Sequence, residues 1–176
     1  MEKNNVRPLT LGLMVIGAAA RLLPHPPNFA PVESVSLFGG ARLRGWRAWI
    51  LPLALMAITD PLVGGYSFAT PFVYASFLVS VWLGTKLRAT ESPLRIGSAA
   101  LASSLVFFVI TNFGVWLGAS GTYARSLAGL ATCYTAAIPF YGRTLAADLL
   151  YSAALFGLHA LLSRSLARSE RVPAAA

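Results

Sequence analysis

A single cysteine, Cys133, in 176 residues excludes an internal disulfide and any multi-cysteine metal site. Histidine is almost as scarce. His25 and His159 are the only two, and they fall at opposite ends of the apolar segments, so no metal is expected. Charged residues make up 11% of the chain, where a soluble domain carries about 25%. Catalytic signatures are missing too. Without a glycine-rich phosphate loop ending in Lys-Ser/Thr the chain does not hydrolyse ATP itself, and there is no Gly-x-Ser-x-Gly or His-Glu-x-x-His. The expectation is a protein that is not an enzyme and carries no cofactor.

What the chain does have is apolar sequence: 56% of residues are hydrophobic and the mean hydropathy is +0.65. That places it among integral membrane proteins. The net charge of +8 does not point to nucleic acid, because the basic residues are scattered between apolar runs. In a membrane protein that arrangement marks cytoplasmic loops.

Six apolar segments follow one another: Leu9 to Leu23, Pro31 to Leu43, Ala48 to Val63, Pro71 to Thr85, Ile96 to Leu117 and Phe140 to Leu162. The first two are short for a hydrocarbon core of about 30 Å. The sequence therefore predicts an all-α compact bundle of about six transmembrane helices. Residues 1–163 form its single domain, and residues 164–176 a basic, disordered cytoplasmic tail. Ser126 to Ala137, also apolar, is stopped by Pro139 and is expected to be a re-entrant or surface helix before the last span. An N-terminal basic stretch, an apolar run and Ala18-Ala19-Ala20 also resemble a signal peptide, but retaining the segment gives a consistent topology. With both termini inside, Lys3, Arg7, Arg42, Arg44, Arg47, Lys86, Arg88, Arg95, Arg164, Arg168 and Arg171 are cytoplasmic. Only Arg21, Arg125 and Arg143 lie outside. The location expected is a bacterial cytoplasmic (inner) membrane.

Between the first two segments runs Arg21-Leu-Leu-Pro-His-Pro-Pro-Asn28-Phe-Ala-Pro-Val32. No helix continues through Pro24, Pro26 and Pro27. Broken backbone at membrane depth is tolerated only where it is buried in protein or lines a wet cavity. This proline-broken loop is expected to form part of a small-molecule site on the outer face. Arg21, His25, Asn28, Asp60, Asn112, Trp116, Tyr134 and Asp148 all fall on that side by the topology, and they are the candidate substrate-binding residues. Charged groups in membrane segments are costly and usually face an interior or a cavity. Arginine would hold anionic groups and Trp116 would stack, sharing a helix face with Asn112 four residues before it. Each has a plainer reading. Asp60 and Asp148 could pair with arginines and tie helices together, Asn112 and Trp116 could be interhelical glue and aromatic belt, and His25 could be a loop residue.

Arg21 to Val32, together with Leu-Phe-Gly-Gly-Ala, Ile-Thr-Asp60, Thr-Asn-Phe-Gly-Val-Trp116, Ala-Gly-Leu-Ala-Thr-Cys-Tyr134 and Ile-Pro-Phe…Asp148-Leu-Leu-Tyr, resembles an uncharacterised bacterial membrane family usually described as transport proteins. The layout is similar to the substrate-binding S components of energy-coupling-factor transporters. That resemblance implies capture of a small water-soluble nutrient, vitamin-like or nucleobase-like, at the outer face. It also implies an energising partner, a transmembrane subunit with two ATPases. S components usually meet this partner through an Ala-x-x-x-Ala pattern on the first helix. Here the spacing is looser, at Gly12, Ile16 and Ala20. Two other readings stand beside it: a solitary secondary transporter, and a structural or assembly subunit of a membrane complex without a ligand.

Overall fold

The computed structural model describes residues 3–88, 90–118 and 121–169. Six helices follow one another, with no strand among the described residues: α1 (Lys3–Ala20), α2 (Val32–Arg42), α3 (Arg47–Val63), α4 (Thr70–Thr85), α5 (Pro93–Gly118) and α6 (Leu127–Ser169). Cross-contacts fix their directions. Thr10 meets His159, Gly17 meets Val35 and Leu155, and Arg21 meets Asp60, so α1 runs with α3 and against α2 and α6. Glu33 meets Ser76 and Ser80 while Gly40 and Gly84 close the other end, so α2 runs with α4. One end of the bundle therefore carries the α1–α2, α3–α4 and α5–α6 connections. The opposite end carries α2–α3 and α4–α5.

Helix α2 is the centre. At 11 residues it is about 16 Å long, and every residue from Glu33 to Ala41 is buried. Val35, Leu37 and Phe38 join Met14, Met56, Phe77 and Phe156 in the core. The proline loop makes this short helix necessary. The chain leaves α1 at Ala20, stays non-helical through Pro31, and resumes as helix only halfway down the bundle, where the Phe29 ring lies tilted against Tyr151 of α6 with centroids 6.0 Å apart. Asn28 takes a left-handed φ of 63°, the conformation an asparagine tolerates better than other non-glycine residues. The expected proline-broken loop after the first helix is present; residues 22–28 are exposed and the chain enters the bundle at Phe29 to Pro31.

The expected re-entrant segment is not. Residues 127–169 form one 43-residue helix that passes through Pro139 without a break. Proline removes one backbone bond and need not end a helix that a neighbour splints. Phe108 of α5 lies 5.6 Å from the Tyr134 ring and 4.8 Å from the Tyr141 ring, so it straddles Pro139. The Tyr134 hydroxyl donates to the Val109 carbonyl at 2.6 Å, and Cys133 Sγ donates to the Asn112 carbonyl. The boundary placed after residue 163 also moves, because α6 continues to Ser169 and includes Arg164 and Arg168. The rest of the tail, residues 170–176, lies outside the described residues.

Two helices among the described residues, α5 and α6, are long and apolar enough to cross a membrane, and only 28% and 33% of their most apolar windows is buried inside the protein. The core helix of a water-soluble protein of this hydropathy would be mostly buried. Here Leu101, Leu105, Val109, Leu150, Leu158 and Leu161 face outward instead. Outward-facing apolar rows of that kind fit a lipid environment.

Candidate functional site

The polar residues singled out by the sequence do not converge on one place. The structure distributes them over three.

The first is an ion-pair node between α1, α3 and α4. Arg21 Nη1 lies 2.8 Å from Asp60 Oδ1 and donates to Thr59 Oγ1 at 3.0 Å. The Tyr74 hydroxyl donates to Asp60 Oδ2 at 2.6 Å. Arg21 and Asp60 are thus spent on one another, each with 11% of its side chain exposed. They act as a strut on which the proline loop is hung. His25 belongs to that loop. Its ring nitrogens lie 3.0 and 3.1 Å from the Pro26 and Arg21 carbonyl oxygens, which folds the loop onto itself in the open.

The second is a cavity of about 270 Å³ between the proline loop, α5 and α6. Phe107, Phe108, Val115, Ala137 and Phe140 supply its apolar walls, and Asn28, Thr111, Asn112, Tyr141 and Thr144 its polar groups. The helical backbone already takes several of the donors here. Asn112 Nδ2 donates to the Phe108 carbonyl at 2.8 Å, the Thr111 hydroxyl to the Phe107 carbonyl at 2.7 Å, and the Thr144 hydroxyl to the Phe140 carbonyl at 3.4 Å. The amide oxygen of Asn112 and the lone pairs of both hydroxyls remain as acceptors. Among the described residues, no lysine or arginine lines the cavity. Trp116 is not among its lining residues. Its indole N–H donates to the Ala124 carbonyl at 3.0 Å, and Arg125 sits over its ring while donating to the Trp116 and Leu117 carbonyls. Trp116 therefore fastens the α5–α6 turn, and Tyr134 fastens α6 to α5.

The third place lies deeper, at the level where α2 begins. Glu33 is 2% exposed, and its carboxylate accepts hydrogen bonds from Ser76 at 3.3 Å, Ser103 at 2.9 Å and Ser80. Asp148, 1% exposed, is its electrostatic neighbour across the α2–α6 contact, where the Ser34 hydroxyl donates to the Asp148 main-chain carbonyl at 3.0 Å. Neither carboxylate oxygen of Asp148 has a hydrogen-bond partner. Ser104 is the nearby hydroxyl and stops short of hydrogen-bonding geometry. Sequence reasoning did not place Glu33 or these serines in a site. The signal available was the recurrence of serine at positions 76, 80, 103 and 104 within otherwise apolar helices.

A second cavity of about 210 Å³ opens in the same α5–α6 seam towards the opposite end, between Ile96, Gly97, Leu149, Ser152, Phe156 and Gly157, with Arg42 and Glu91 at its rim. Along one face of α6, Thr144 lines the first cavity, Asp148 is buried beneath it, and Ser152 lines the second.

The fold and these sites define an all-helical bundle of membrane character, with a half-length central helix and two buried carboxylates between two cavities. The chain belongs to a family of unknown function (DUF6580), whose model matches residues 2–172. No curated protein and no solved structure matches it.

Proposed function

We propose that this protein is an integral membrane carrier that captures a small, uncharged or cationic polar solute in the cavity beside the proline loop. The reading places that cavity at the outer face of a bacterial inner membrane, with six helices embedded and both termini cytoplasmic. Its main support is the half-length helix α2. A helix that starts at mid-bundle leaves non-helical backbone at membrane depth, and that backbone lines a cavity here. Discontinuous helices beside a substrate site are a recurring device of membrane carriers. The cavity lies just under the usual range of small-molecule sites, about 300–1,000 Å³, and suits a single ring or a short polar chain. Its free polar groups combine acceptors on Asn112, Thr111 and Thr144 with the amide of Asn28 and the hydroxyl of Tyr141, which suits a solute carrying both donors and acceptors. The absence of any arginine in its walls argues against an anionic solute, which the sequence had left to Arg21.

The test is a thermal-shift screen of the purified protein against nucleobases, amines and vitamins, since a ligand of the folded state raises its melting temperature. A responding compound should lose affinity about tenfold in Asn112→Ala and Thr144→Val. Unchanged affinity in both variants would reject the site.

A second reading is a capture subunit that depends on an energising transmembrane partner with two ATPases. One observation favours it: on α1, Ile16 is 66% exposed and nothing approaches the position of a Gly12 side chain, so the Gly12–Ile16–Ala20 stripe faces outward as a partner helix would need. Reconstitution separates the two. The solitary carrier moves the identified solute into liposomes by itself, and the subunit only binds it.

A further inference from the structure

We propose that Asp148, with the hydroxyls of Ser104 and Ser152 and the neighbouring Glu33 carboxylate, forms a binding site for one small monovalent cation, a proton or sodium. The proposal rests on the carrier reading for its purpose, but the site is argued from its own chemistry.

The two carboxylates are treated differently by the fold. Glu33 receives three seryl hydroxyls and is provided for as an acceptor. Asp148 receives none, although both of its oxygens are fully buried. A carboxylate left bare in an apolar interior is too costly to persist, so it must carry a cation. Two buried seryl hydroxyls on α5 and α6 also lack partners. The hydroxyls of Ser104, 0% exposed, and Ser152, 1% exposed, make no hydrogen bond. Ser104 stands against the Asp148 carboxylate from α5, and Ser152 lies one turn along α6 on the same face. Oxygen atoms from a carboxylate and hydroxyls are the donor set a hard monovalent cation takes.

Among the described residues, no fixed cation fills this role. From α1, Arg21 is held by Asp60 of α3, and Tyr74 of α4 donates to the same Asp60. From α2, Arg42 is at the far end of the helix from Glu33. It donates to the Thr90 carbonyl and lies 5.0 Å over the Phe156 ring. On α6, His159 is hydrogen-bonded to Thr10, and Tyr151 packs on Phe29. Helix α5 has no charged residue after Arg95. The position is also suited to exchange. Thr144 and Ser152, each four residues from Asp148, line the two cavities, so the site is one helical turn from either opening.

The experiment uses the full chain in detergent, melted in sodium, potassium or choline chloride from about pH 5 to about pH 8.5, with binding of radioactive sodium measured alongside. If the cation is sodium, binding is saturable, sodium alone raises the melting temperature by at least about 3 °C, and Asp148→Asn loses at least about tenfold in affinity. If it is a proton, sodium has no effect. The melting temperature then falls as pH rises, because the native state gives up the proton that stabilised it, and Asp148→Asn makes that slope shallower, leaving the share that belongs to Glu33. Should Asp148→Asn fail to fold, Ser104→Ala must weaken the sodium or pH response instead. Identical pH slopes in wild type and variant, with no sodium response in either, overturn the proposal. A solute found in the screen that still shifts Asp148→Asn, but not Asn112→Ala, leaves the carrier reading standing when the cation site fails. Loss of the solute response with the cation response intact does the reverse.

Discussion

Gly40 of α2 lies against the main-chain carbonyl of Val81 in α4 so closely that no Cβ fits between them, and Gly84 meets the Leu37 carbonyl in the same way. The central helix is thus clamped to α4 by backbone-to-backbone contact, which only glycine allows. Gly40→Ala and Gly84→Ala should each cost about 1–3 kcal/mol or more, because backbone cannot move aside as a flexible side chain can. Gly142→Ala, where nothing lies within 4 Å, should be neutral or stabilising. Melting temperatures in detergent check all three.

The Arg21–Asp60–Tyr74 node should behave as a mutually dependent group. Arg21→Ala leaves Asp60 with the Tyr74 hydroxyl alone and should cost about 3 kcal/mol. The double variant Arg21→Ala/Asp60→Ala should be less destabilised than the sum of the single variants, since no charge is then left behind. A double-mutant cycle measures this coupling.

Around Glu33, the serines should rank by what else they do. The Ser76 hydroxyl is shared with the Val73 carbonyl of its own helix at 2.6 Å, while the Ser103 hydroxyl meets two groups on other helices, Glu33 at 2.9 Å and Ser80 Oγ at 2.6 Å. Ser103→Ala should therefore destabilise by about 1 kcal/mol, and Ser76→Ala by less. Glu33→Gln turns an acceptor into a donor among three hydroxyls and should cost about 1–3 kcal/mol. Chemical denaturation of the purified variants gives the order.

Trp116 offers a test of role. Because its indole N–H is bound to the Ala124 carbonyl, Trp116→Phe should lower stability by about 1 kcal/mol. The affinity of any solute bound beside Asn112 should stay unchanged. A large loss of solute affinity in Trp116→Phe would return this residue to the binding site.

Much of the bundle could be read from hydropathy. Segments two to five coincide with α2 to α5 to within three residues, α1 starts earlier than its segment, α6 is far longer than the last one, and the proline run ends α1 where it must. The fate of Pro139 could not be read, because the sequence does not say that Phe108 bridges it from another helix. The site was legible only in pieces. Asn28 and Asn112 do share a cavity, yet Arg21 and Asp60 neutralise one another, Trp116 turns to a loop carbonyl, and Asp148 is buried a full turn below Thr144.

What the sequence alone determined is the helical class and the approximate place of each helix, because hydrophobic runs and prolines act locally along the chain. It also named the residues that are expensive to embed. Which of them meet was decided by tertiary structure. The depth at which α2 restarts sets Glu33 near Asp148, and the packing of α5 brings Ser103 to Glu33 and Ser104 to Asp148. The meeting of Asp148 with Glu33 and Ser104 depends on how three helices pack, and no local pattern carries that information.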